Sequence, residues 1–157
     1  MPDILRAAVA AALLAAFAAP ASAQHGPPVE RRVVAAVIRD ADRTCREEGG
    51  TGIAAAPEAI ERRDLDGDGR TDMVINHRDI VCAGAASVFC GTAGCRHVIL
   101  LARAGGGFRR ILDGRILAYA VEGRRLTVRL HGGHCDRGGL EECRRRFPLD
   151  GRRIALP

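Results

Sequence analysis

From Val29 to about Glu48 the apolar residues Val33, Val34, Val37, Ile38 and Ala41 recur three and four apart, with Arg and Asp between them. That spacing predicts an amphipathic helix, stopped by Gly49-Gly50 and carrying Cys45 in its last turn. The periodicity then changes. Ile53 to Ile60 leads into a strand running to Leu65, and Met73-Val74-Ile75 forms a second strand across an acidic loop. Asp79 to Cys95 is rich in Gly and Ala and reads as irregular, pinned by its cysteines. Beyond it, apolar segments at 97–102, 108–112, 116–121 and 126–131 alternate with Gly105-Gly106-Gly107, Asp113-Gly114 and Glu122-Gly123, the signature of an antiparallel meander. Arg146 to Leu149 and Ile154 to Leu156 around Asp150-Gly151 read as a last hairpin. The expected class is α+β, an N-terminal helix packed on a mostly antiparallel sheet.

The start of the chain follows a different pattern. Met1 to Ala23 has a short polar start with Arg6, an apolar run of about 13 residues, and Pro20-Ala21-Ser22-Ala23 before Gln24. This is the layout of a cleaved signal peptide with an A-x-A site, leaving one domain over 24–157. The apolar run falls short of the roughly 20 residues that cross a bilayer, so the expectation is a periplasmic or secreted protein that does not span a membrane.

Composition adds two constraints. With no Trp, one Tyr and four Phe, the core must be built from aliphatic residues. The six cysteines, Cys45, Cys82, Cys90, Cys95, Cys135 and Cys143, all follow the signal, and an even count in an exported chain implies disulfides that compensate for a thin core. The net charge of +5 rests entirely on arginine and suits an acidic protein or an anionic cell-envelope polymer as partner. Nucleic acid is not expected, because the arginines are scattered and almost no aromatic surface exists on which bases could stack.

The acidic loop carries the strongest chemical signal. Asp64, Asp66, Asp68 and Asp72 stand in Asp-Leu-Asp-Gly-Asp-Gly-Arg-Thr-Asp. Gathered in one turn they repel one another, unless a Ca²⁺ ion, which takes six to eight oxygen ligands, converts repulsion into coordination. The nonapeptide resembles the calcium loop of FG-GAP or VCBS-type repeats, D-x-D-x-D-G-x-x-D, which sits in a β-hairpin. The resemblance implies side-chain ligands from Asp64, Asp66 and Asp68, a backbone carbonyl from Arg70, a closing carboxylate from Asp72 and a sharp turn at Gly69. Those families repeat the motif, whereas here it occurs once. An EF-hand is excluded, since Ile75 stands where that loop needs a bidentate Glu.

The segments around Cys82, Phe89-Cys-Gly-Thr-Ala-Gly-Cys95, His131-Gly-Gly-His-Cys135 and Cys143, with the acidic loop before them, resemble small exported alphaproteobacterial proteins to which no activity is assigned. Of the fifteen formal pairings of six cysteines, the favoured one closes two short Gly-containing loops, Cys90 with Cys95 and Cys135 with Cys143, and leaves Cys45 with Cys82. Covalent haem is rejected because Arg96 follows Cys95 where that motif requires His. Zinc on His131, His134, Cys135 and Cys143 competes with disulfide formation in an oxidising compartment, which favours the disulfide. Ser87 does not sit in a nucleophile elbow. His77 and Asp79 read as a surface pair with a hydrogen-bonded His, and Glu141-Glu142 with Arg144 to Arg146 as a solvated rim. The expected function is a non-catalytic exported calcium-binding module; the alternatives are a small calcium-dependent hydrolase and an inhibitor of an exported enzyme.

Overall fold

The computed structural model describes residues 27–138 and 141–156; the signal-peptide expectation falls outside them. The helix, α1, spans Pro27–Glu47. A proline opens it where no N–H is needed, and Gly49, at φ 86°, closes it in the left-handed region while the Gly50 N–H returns to the Cys45 carbonyl at 2.8 Å. Ten strands follow: β1 Gly52–Ala55, β2 Ile60–Arg63, β3 Asp72–Asn76, β4 Ile80–Ala83, β5 Cys90–Gly91, β6 Gly94–Ala102, β7 Phe108–Ile116, β8 Ala118–Glu122, β9 Arg125–Leu130 and β10 Cys143–Pro148.

All strand pairs are antiparallel. A central sheet runs β2-β3-β6-β5, with β7 also paired to β6; a second sheet runs β10-β9-β8, and β1 and β4 form a small ribbon. The pleat sends alternate residues of the central strands to opposite faces. Met73, Ile75, Val98 and Leu100 pack with Val37 and Ala41 of α1. Val74, Ile99 and Leu101 pack instead with Leu126, Val128 and Leu130 of the second sheet. The central sheet is therefore covered on both faces, and β3 and β6 read as unbroken apolar runs for that reason.

One polar clamp ties helix to sheet. Arg96 donates to Asp40 of α1 at 2.9 Å and to both oxygens of Asp113 of β7, at 2.7 and 2.9 Å. The residue that breaks the haem motif thus has a structural task. The three disulfides are Cys45–Cys82, Cys90–Cys95 and Cys135–Cys143, the favoured pairing, and together with the helix and antiparallel sheets they give the α+β class expected.

Local expectations fail where partners distant in sequence decide. The 79–95 segment is not wholly irregular, because Ile80–Ala83 finds β1 and Cys90–Gly91 finds β6. Asp113-Gly114 is not a turn: both residues lie inside β7, opposite Val98 and His97. The last hairpin does not form either, since β10 pairs with β9 and the Ile154 N–H donates to the Ile111 carbonyl at 2.7 Å.

Candidate metal centre

Strands β2 and β3 pair with Arg63 opposite Asp72, so residues 64–71 form a loop closed at the base of a hairpin. Gly67 and Gly69, at φ 75° and 81°, supply the left-handed turns that let it fold back on itself. Asp64, Asp66 and Asp72 converge: each offers an oxygen, and these oxygens lie within 4.8 Å of one another. Among the described residues no other group of His, Cys, Asp or Glu does so.

The carboxylates are not equivalent. Asp64, exposed, accepts N–H groups from Gly67 at 2.7 Å, Asp68 at 3.2 Å and Gly69 at 2.8 Å. Those donors, Gly69 foremost, hold it below the usual carboxylate range. Asp66 is pushed up by burial and then by the charge of Asp68. Asp72, at 0% exposure, is also pushed up by burial, with the charges of Asp66 and Asp68 adding to it. Both of its oxygens are engaged, Oδ2 by the Leu65 N–H at 2.8 Å and Oδ1 by the Ala102 N–H at 2.7 Å. Asp72 therefore latches the loop to the end of β6.

Asp68 stands outside the converging trio. Its Oδ1 accepts the Arg70 N–H at 2.9 Å and its Oδ2 pairs with the Arg70 guanidinium. Three of the four expected carboxylates come together, and Arg70 screens the fourth. Hard oxygen donors with no sulfur or imidazole suit Ca²⁺ or Mg²⁺. Two acids raised by mutual proximity and burial are what a divalent cation would relieve. The trio therefore fits calcium by donor chemistry.

Comparison with protein-family models, with curated protein sequences and with solved structures finds no match to this chain. The site has to be read from its own geometry.

The other candidate residues separate widely. Cys135 and Cys143 are joined to each other, which removes the two thiolates a zinc site would need. The His131 ring accepts the Gly133 N–H at 3.2 Å, a local turn contact. His77 is not a surface residue: its exposure is 0% and it packs edge-on against Phe89. Asp79 is half-buried and its carboxylate meets the Asn76 amide, not His77. The expected surface pair of His77 and Asp79 therefore does not form, because the His is buried and the carboxylate is turned to Asn76.

Burial, with the nearby Arg96 charge, pushes His77 down to about 4; a backbone hydrogen bond to Ile75 and then the Asp113 charge oppose this, and His97 adds to it. His97, also buried, is lowered too. A histidine whose folded value is depressed contributes stability that is complete above its unfolded value near 6.5 and declines as pH falls toward its folded value. Unfolding in urea is expected to show a loss of about 2 kcal/mol between pH 7.5 and pH 5 from His77 alone. His77→Leu should remove most of that slope. A variant whose pH dependence matched the wild type would show that His77 is solvated.

Proposed function

We propose that the chain is a non-catalytic exported module that holds calcium in the 64–72 hairpin loop and binds an acidic protein or an anionic component of the cell envelope. The convergence of Asp64, Asp66 and Asp72, two of them raised above their ordinary range, carries the reading. Asp64 and Asp66 would hold the ion, with Asp72 at the edge of the trio and Arg70 and Asp68 flanking it. The ion's task is structural: it neutralises the loop and stiffens the β2–β3 hairpin. Three disulfides and the excess of arginine support an exported chain that meets anions. Among the described residues no helix is long and apolar enough to cross a membrane, which agrees with a chain that does not span one.

Only the folded loop gathers the carboxylates, so calcium should stabilise the fold by linkage. At concentrations well above a millimolar-range dissociation constant the gain is about 1–3 kcal/mol, with the melting temperature falling on addition of chelator. Protons compete for Asp66 and Asp72, so the gain should shrink at pH 4. An unchanged melt together with no heat of calcium binding would remove the ion from the reading. Capture of partners from an envelope extract, with and without chelator, tests the binding role.

A further inference from the structure

The second sheet presents a face on which arginines outnumber the carboxylates that pair with them. In β10 the pleat separates Arg144 and Arg146 from Arg145: Arg145 stands opposite Val128 on the core side, while Arg144 and Arg146 stand opposite Arg129 and Thr127 on the outer side. Arg125 lies on that outer side as well, opposite Pro148 of β10 and Glu122 of β8. Arg144 and Arg129 are direct cross-strand neighbours of like charge, an arrangement that destabilises a sheet when nothing anionic lies between them. Glu142 neutralises Arg129, at 2.6 and 2.9 Å. Arg144 and Arg146 have no ion-pair partner among the described residues. Two exposed arginines of one strand that have no ion pair, Arg144 and Arg146, beside a third that holds only one carboxylate, leave this face with excess positive charge suited to an anion.

The shape narrows the chemistry. These arginines border a trough of about 290 Å³ whose floor is the small side of β8, Ala118 and Ala120, with Thr127 and Glu122 along it. The volume admits a single sugar-sized unit. Guanidinium forks match phosphate bidentately, and a hydroxyl and a carboxylate beside them match sugar hydroxyls. A lipid surface fits less well, because the exposed large hydrophobic side chain among the described residues is Val81, on β4 of the small β1–β4 ribbon and not on this sheet. Tyr119 also borders the trough, but it is half-buried, stands opposite Val128 and packs against the core, so base stacking finds no open platform here.

We infer that the outer face of β8-β9-β10, through Arg129, Arg144 and Arg146, is a binding site for a phosphate-bearing saccharide. The inference rests on the anion-binding half of the proposed function and assigns it a place and a ligand class. A phosphate seated against Arg144 and Arg146 would supply the counter-charge that these two lack, with Arg129 at its edge and the sugar ring over Ala118 and Ala120.

The test uses the mature chain with phosphocellulose as the phosphate-bearing saccharide, carboxymethyl cellulose as its carboxylate counterpart, and glucose 1-phosphate in solution. Arg144→Gln with Arg146→Gln should weaken binding to phosphocellulose about tenfold, as expected for lost charge-assisted contacts. An equal change of charge on the helix, Arg31→Gln with Arg32→Gln, should weaken it less than twofold. The melting temperature of the β10 double variant should be unchanged, since both arginines are exposed and make no ion pair among the described residues, so a loss of binding is not a loss of folding. Glucose 1-phosphate, and not glucose, should shift amide resonances of β8, β9 and β10. Equal weakening by both double variants would mean that overall charge, and no site, governs retention. Tighter binding to carboxymethyl cellulose, to polyglutamate or to phosphatidylglycerol vesicles than to phosphocellulose would overturn the ligand class. If the β10 variant keeps wild-type capture of an envelope partner, this face is not the site and the proposed function stands without it; if the wild type captures nothing, that reading fails as well.

Discussion

Replacing Asp72 with Ala should destabilise the protein by about 3–5 kcal/mol, a large share of the 5–15 kcal/mol that holds a typical domain together. The substitution leaves two N–H groups without acceptors, those of Leu65 and Ala102, at a position that is fully buried. An orphaned buried donor costs about 1–3 kcal/mol, and two are created at once. Removal of a carboxylate raised by burial and by its neighbours offsets a part of this. Asp72→Asn should cost less, about 2 kcal/mol, because one oxygen remains to accept while the new amide faces a donor. The discriminating condition is excess chelator. If Asp72 is a latch, its variants stay destabilised there, whereas Asp66→Asn, which can keep its one backbone acceptor, converges toward the wild type. Convergence of the Asp72 variants in chelator would make Asp72 a ligand and nothing more.

Loss of the Cys45–Cys82 disulfide should cost about 4 kcal/mol, the loop-closure value expected for a bridge that spans 37 residues. The bridge joins the last turn of α1 to β4, and both cysteines are buried. Close by, Gly50 lies so near the two sulfurs that a Cβ there would stand 2.3 Å from Cys82 Sγ. The backbone has been shaped around the bridge. Cys90 and Cys95 are only five apart, so their removal should cost about 2 kcal/mol. Paired Cys→Ala variants compared by urea unfolding give the order directly. A larger loss at Cys90–Cys95 than at Cys45–Cys82 would show that the bridges act through native packing and not through the unfolded chain.

The helix was legible because its signal is local: Val37 and Ala41 fall on one stripe whatever packs against them, and Gly49 marks its end. The acidic hairpin was legible for the same reason, since Asp64, Gly67 and Gly69 interact within a few residues. The favoured disulfide pairing also formed, two bridges closing short loops and the third joining the cysteines that remained.

What sequence could not decide depended on partners far along the chain. Asp72 reads in the sequence as a closing ligand; the fold keeps it in the trio and makes it a latch as well, because β6 brings the Ala102 N–H to it from thirty residues away. A carboxylate directly before the buried run Met73-Val74-Ile75 was the available hint, since a buried acid needs donors. His77 looked exposed beside Asp79 and Arg78, yet Phe89 and β6 close over it. Arg144 to Arg146 looked like one charged rim, and only the register of β10 against β9 sends Arg144 and Arg146 to one face and Arg145 to the other. Local pattern determined which segments are helix, hairpin and staple, because those depend on nearest neighbours. Tertiary pairing alone decided which charges are buried, which are bridged and which are left to meet a ligand, because desolvation and register are properties of the assembled sheets.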